Sequence, residues 1–240
     1  MNDTYYAGVY WLPRKEPVET CAHRAAELFR RLGPAEPTWS QWHETGNSFA
    51  DARKRQVSTD TRSFEKLFQK KRNRIGNDEF RFWLWAGEHP NETTSVSAAC
   101  GSDDPWSSPA CVLMPPHKGG AAERILTASV LAEVVRAMAL AYEPDCGVAT
   151  SDLHRDTAWQ RPPIGTFTGW ITYLSRQRGT VPPLPAPVRI EPVEDKGTLI
   201  ILTPERFTAS SPEHVALAAR VQELLDRAGL LRPLQQPVPK

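Results

Sequence analysis

Residues 165–231 read GTFTGWITYLSRQRGTVPPLPAPVRIEPVEDKGTLIILTPERFTASSPEHVALAARVQELLDRAGLL. The segment 166–174 carries Trp170 and Tyr173 among β-branched residues and predicts a strand. Segments 188–193 and 198–202 predict a hairpin closed by Glu194-Asp195-Lys196-Gly197, with Gly197 expected to supply the positive φ of the turn. Ser210 or Ser211 is then placed to cap a helix, Pro212 fits its first turn, and Leu217, Val221, Leu224, Leu225 and Ala228 make its apolar face. Gly229 ends it. The order is strand, loop, strand, turn, strand, helix, with no βαβ crossover, which predicts a largely antiparallel sheet. No nucleophile motif, metal-ligand spacing or phosphate loop lies along the segment.

Upstream, 5–12 is aromatic and β-branched until Pro13 stops it, and predicts an opening strand. Val18, Cys21, Ala22, Ala25, Leu28, Phe29 and Leu32 then recur at helical spacing before Gly33-Pro34. Trp39 and Trp42, three apart, mark a helical turn. Phe64, Leu67 and Phe68 place a helix over 61–74. Segments 80–85, 93–100 and 110–114 predict a three-stranded meander. The apolar pattern over 121–142 predicts one long helix ended by Pro144, and 147–151 a short strand. The expected fold is a single α+β domain over residues 1–232, a mostly antiparallel mixed sheet packed by about four helices, followed by a Pro-rich tail at 233–240.

The chain has 240 residues, 40% of them hydrophobic and 24% charged, as an ordinary globular protein has. Its net charge of +1 points to neither a nucleic-acid binder nor an acidic solvating tail. The 22 prolines gather between elements as rigid connectors. Cys21, Cys100, Cys111 and Cys146 form no C-x-x-C pair, so they are expected to be buried, reduced and metal-free. The N-terminus lacks the charged and apolar regions of a secretion signal, and no stretch is long and apolar enough to span a membrane. A cytoplasmic location is expected.

Several constellations resemble chemistry. Asp152-Leu153-His154-Arg155-Asp156 contains the H-R-D letters of a kinase loop without the glycine-rich loop or the V-A-I-K strand. A general-base His154 between two carboxylates is the alternative, against a capped loop. Pro144-Asp145 and Glu194-Asp195-Lys196 carry the letters of a metal-dependent nuclease site. The second set falls on a hairpin turn, where side chains splay apart. His23, His43, His89, His117, His154 and His214 show no H-x-x-x-H pair, so no metal or other cofactor is expected. Gly119-Gly120 reads as a loop-to-helix joint. Residues 53–74 are rich in Lys and Arg, which makes a nucleic-acid-binding module a rival function, but the aromatics there fall on the core stripe rather than between the charges. Asp78, Glu79, Glu88, Glu92, Asp103 and Asp104 surround the meander with only Arg81 as a local base, and Trp106 lies in a loop among Asp103, Asp104 and Ser107.

The runs Tyr5-Tyr6-Ala7-Gly8-Val9-Tyr10-Trp11, Phe82-Trp83-Leu84-Trp85, Ala121-Ala122-Glu123-Arg124, Glu143-Pro144-Asp145, Ser151-Asp152, Gly165-Thr166-Phe167, Gly169-Trp170 and 181–207 resemble the immunity protein 52 family along nearly the whole chain. Cys146 stands where that pattern has an aromatic. The resemblance implies an α+β fold and a non-enzymatic partner-binding function. It implies neutralisation of a cognate polymorphic toxin encoded alongside, often of restriction-endonuclease fold and delivered by type VI or related secretion. A nuclease holds phosphates in a basic cleft, so an inhibitor can fill that cleft with carboxylates. Glu88, Glu92, Asp103 and Asp104, with Trp106 as anchor, are the expected contact set, and Glu191, Glu194 and Asp195 a second. A metal-dependent or His/Asp hydrolase and the nucleic-acid module remain the rival functions.

Overall fold

The computed structural model describes residues 3–76, 78–159 and 162–234. Residues 235–240 of the expected Pro-rich tail, and the first two residues of the N-terminus, lie outside that description. In chain order the first elements are β1 (Tyr5–Tyr10), α1 (Val18–Leu32), β2 (Trp42–Glu44), α2 (Phe49–Ala52), β3 (Gln56–Val57), α3 (Thr61–Gln69), β4 (Arg74–Ile75), β5 (Glu79–Ala86) and β6 (Thr94–Cys100). Then come β7 (Ala110–Met114), α4 (Gly119–Ile125), α5 (Ala128–Tyr142), β8 (Cys146–Ser151), α6 (Asp152–Trp159), β9 (Ile171–Ser175), β10 (Arg189–Val193), β11 (Gly197–Ile201) and α7 (Pro212–Arg227). The fold is α+β with antiparallel pairing, as expected. The four expected helices are α1, α3, α4 with α5, and α7; the short α2 and α6 are additional.

The chain divides into two compact units, one made of Met1–Leu12 with Leu126–Lys240 and the other of Pro13–Ile125. In the first, the strand order is β10-β11-β9-β8-β1, and each neighbouring pair runs antiparallel. Helix α5 buries Leu131, Val134, Val135 and Met138 and packs on this sheet, because its apolar stripe is wide enough to lie flat across several strands. Tyr142, at its end, stacks on Trp11 with ring centroids 5.0 Å apart. Ser211 caps α7 by accepting a hydrogen bond from the His214 N–H.

Three expectations fail for local reasons. The long helix over 121–142 is two helices. The Thr127 hydroxyl accepts the Val130 N–H and starts α5 afresh, a side-chain cap that competes with continuation of the preceding helix. In the β10–β11 hairpin the left-handed residue is Glu194, at φ 47°, not Gly197. Gly197 is needed for close approach instead, since a Cβ there would lie 2.3 Å from the Leu174 carbonyl oxygen. Pairing of the strand expected at 166–174 begins only at Ile171. Before it, Thr168 is held by Gln222, whose Oε1 accepts the Thr168 N–H at 2.8 Å and whose Nε2 donates to the Thr166 carbonyl at 2.6 Å.

In the Pro13–Ile125 unit the order is β7-β6-β5-β2-β3, with β4 also on β5. The β5–β6–β7 meander matches expectation. One face of the sheet carries Phe80, Phe82, Leu84, Val96, Ala98 and Leu113, all buried. Helices α1 and α3 supply the opposing aromatics. Phe29 lies 4.9 Å from Trp42, 5.4 Å from Phe64 and 5.6 Å from Phe82, ring centre to ring centre. Trp39 is in a 3-10 turn and donates to the Thr94 hydroxyl, but Trp42 opens β2, where the sequence predicted a helical turn. All four cysteines are buried and free.

Candidate functional site

The sequence that resembled enzymatic sites folds into ion pairs and core. Residues 152–159 form helix α6 rather than a capped loop. Asp152 and Asp156 both bind Arg155, at 3.0 and 2.8 Å, and Thr4 donates to Asp152. His154 points the other way. It is 1% exposed, with its ring edge-on to Phe207 at 4.7 Å, so it does not share a cleft with the two carboxylates. Burial pushes its imidazole below the usual histidine range.

The direction of that shift fixes a pH response. Between the depressed folded value and about 6.5, the unfolded chain binds a proton that the folded chain refuses, so acidification favours unfolding. Stability is expected to be full at pH 7 and to fall on going to pH 5, by at most about 1.4 kcal/mol per pH unit for this group. His43, depressed by burial and by Arg53, adds to it. Urea midpoints of His154→Leu at pH 7, 6 and 5 should show a shallower slope than the wild-type chain. An identical slope would remove His154 from the explanation.

Glu143-Pro144-Asp145 and Glu194-Asp195-Lys196 do meet, but as scaffold. Lys196 Nζ lies 2.7 Å from Glu143, and Asp145 accepts the Leu12 N–H at 3.1 Å. Among the described residues no group of three or more His, Cys, Asp or Glu side chains converges as a metal site.

The expected contact residues are dispersed. Glu88 is exposed in the β5–β6 turn. Glu92, in the same turn, accepts the Ala121 N–H at 2.9 Å and so holds the first turn of α4. Asp103 and Asp104 lie beyond the opposite end of β6, and a strand of that length separates the two pairs by roughly 20 Å. The loop at 101–109 is ordered by local bonds. Asp104 accepts the Trp106 N–H at 2.9 Å, and its own N–H donates to the Ser102 hydroxyl at 3.1 Å. Trp106 is thereby held outward, 77% exposed. In the other unit, Glu191 is paired with Arg136 at 2.8 Å, while Glu194 and Asp195 are exposed at the hairpin tip.

Three cations of the basic segment 53–74 are paired with carboxylates that precede it. Glu44 binds Lys70 at 2.7 Å and Arg72 at 2.6 Å, and Asp51 binds Arg55 at 2.8 Å. Burial by itself would raise the Glu44 carboxyl, but those two cations hold it below the usual range.

Sequence reasoning missed Trp83. It projects from β5 on the sheet face opposite Phe82 and is 62% exposed. Its cross-strand neighbours are Ser97 and, beyond it, Val112. The alternation in FRFWLW held the signal, but aromatics at both parities read equally well as a strand buried on both faces.

The fold is shared with a solved structure, a type VI secretion system protein of Pseudomonas aeruginosa. The two chains are 11% identical, the match covers 96% of this chain and 76% of that one, and the TM-score is 0.57. No curated protein sequence matches this one. The family model described as Immunity protein 52 matches residues 3–234, and the chain belongs to that family.

Proposed function

We propose that this protein binds a cognate nuclease-type toxin of restriction-endonuclease fold in the cytoplasm of the producing cell and neutralises it stoichiometrically, without catalysis. Family membership supports the immunity role. The observation that carries the nuclease reading is the loop at 101–109, where Asp104 accepts the Trp106 N–H and the exposed indole follows the Asp103-Asp104 pair. Carboxylates flanking an exposed aromatic suit a basic, phosphate-holding cleft: the charges steer association, and the indole supplies buried contact area. Glu88, at the far end of β6, is a separate acidic contact, and the tip formed by Glu194 and Asp195 on the other unit is another. Glu92 and Glu191 contribute less, because Ala121 and Arg136 already engage them.

Co-expression with the toxin encoded beside the gene tests the function: growth rescue and co-purification are expected. The double variant Asp103→Lys/Asp104→Lys should bind the purified toxin about 10–100-fold more weakly, with a flatter salt dependence. If its affinity and salt response match the wild-type chain, this loop is not the contact. If the wild-type chain neither rescues growth nor binds, the function itself is wrong.

A further inference from the structure

The side of the Pro13–Ile125 sheet away from α1 and α3 carries three cross-strand rows. They are Arg81, Ala99 and Ala110; Trp83, Ser97 and Val112; and Trp85, Ser95 and Met114. The third row is partly roofed: His43 stacks on Trp85 at 4.9 Å and Phe49 lies 5.2 Å from it. The roof stops there. Two residues along the same strand Trp83 is 62% exposed, and its neighbours Ser97 and Ala99 are too short to shield an indole.

The strand edge beside Trp83 is also open. β2 pairs with β5 only at Trp85 and Leu84, and β4 only at Phe80 and Glu79. Among the described residues no strand pairs with that edge from Arg81 to Trp83. The resulting trough has a volume of about 490 Å³, and the Glu44–Arg72 ion pair stands on its rim. An exposed tryptophan beside a concavity with an unpaired strand edge has the composition and shape of an interface centre.

Charge selects the occupant. Glu44 is shared by Lys70 and Arg72, and among the described residues Arg81 is exposed and hydrogen-bonded to no carboxylate, with Glu79 on the same strand as its near opposite charge, so three cations face two carboxylates. This cationic excess would repel the same face of a second copy. It attracts a carboxylate. Nucleic-acid platforms stack successive bases on several aromatics, whereas this open region offers one. The face also adjoins the loop of Trp106: Ala110, the first residue after that loop, pairs with Ala99, which pairs with Arg81.

We infer that the trough around Trp83 is a second toxin-docking surface, taking a toxin segment that sets an apolar side chain against Trp83 and a carboxylate against Arg81. This rests on the toxin being the partner. The toxin is then met by two opposite charges on one unit, the acidic loop at 101–109 and the basic-rimmed trough.

The test uses the full chain and the purified toxin domain encoded beside it. Trp83→Ala should weaken binding about 100-fold and Arg81→Glu about 10-fold. Both variants should melt within a few degrees of the wild-type chain, since both side chains are exposed. Toxin should protect the β5 amides from hydrogen exchange. Wild-type affinity in both variants, alongside weakened binding by Asp103→Lys/Asp104→Lys, overturns this surface and leaves the immunity function standing. Failure of the wild-type chain to bind toxin overturns both. Salt-sensitive binding of an oligothymidylate lost only in Trp83→Ala, with toxin affinity unchanged, assigns the face to nucleic acid. A dimer seen by analytical ultracentrifugation and lost in Trp83→Ala, again with toxin affinity unchanged, assigns it to a second copy. Either result refutes the inference.

Discussion

Replacing Trp170 by alanine is expected to lower the stability of the folded chain by about 3–5 kcal/mol. The indole is fully buried, and its N–H donates to the Thr203 carbonyl at 2.8 Å. Its ring meets Tyr5 edge-on at 6.3 Å, and its own carbonyl accepts the Leu202 N–H at 3.0 Å. Truncation therefore removes a large apolar surface, leaves a void beside Tyr5, and leaves the Thr203 oxygen without its donor. Each effect is costly because a close-packed interior relaxes only partly around a lost side chain. Trp170→Phe separates the contributions. It keeps most of the ring volume, loses only the hydrogen bond and some packing, and should cost about 1–2 kcal/mol. Urea unfolding with an unchanged m-value measures both. A loss below about 1 kcal/mol for the alanine variant would show that the neighbours collapse into the space.

Arg178→Met is expected to cost at least about 3 kcal/mol. Arg178 is 6% exposed, and its Nη1 donates to the carbonyls of Gly165, Leu230 and Arg232 at 3.1, 3.1 and 2.9 Å. A guanidinium buried among backbone oxygens acts as a multiple hydrogen-bond donor, fastening the loop before β9 to the chain after α7. Methionine retains the length but offers no donor, leaving three carbonyls to find water or remain unpaired. Hydrogen exchange should report the loss first at Leu234, whose N–H donates to Ile164 in the fastened segment. Arg178→Lys, with one compact ammonium in place of a planar fork, should recover only part of the stability. If the methionine variant were as stable as the parent, the three carbonyl bonds would have no net value.

Elements with a long apolar period were legible in the sequence. The stripes of α1, α3, α5 and α7 and the β5–β6–β7 meander follow from spacing alone, because burial on one face demands that spacing. β2, β3 and β4 have only two or three residues each, too few for any period to show. The break before α5 was hidden because Leu126 continues the apolar pattern and only Thr127 signals a new start. Position along the chain does not show how the expected contacts are spaced in the fold. Glu88, Glu92, Asp103 and Asp104 look like one cluster, yet β6 carries its two ends apart and α4 occupies Glu92. Trp83 was hidden for the opposite reason. Its neighbours in sequence are as aromatic as it is, and only the cover over Trp85 and its absence over Trp83 distinguishes them.

The division of the chain into units has a consequence for synthesis on the ribosome. β1 leaves the exit tunnel well before its partner β8, with Tyr5 opposite Ser151 and Tyr10 opposite Cys146. At an elongation rate of about 20 residues per second the strand waits on the order of seven seconds for that partner. During that interval Pro13–Ile125, contiguous in the chain, is already fully translated. The edge of the aromatic segment Tyr5–Tyr10 that β8 will cover meanwhile stays unpaired, a state that exposes an apolar strand to association with other chains. Nascent β1 therefore gains from chaperone cover until β8 is made, even though in the finished fold it is almost entirely buried.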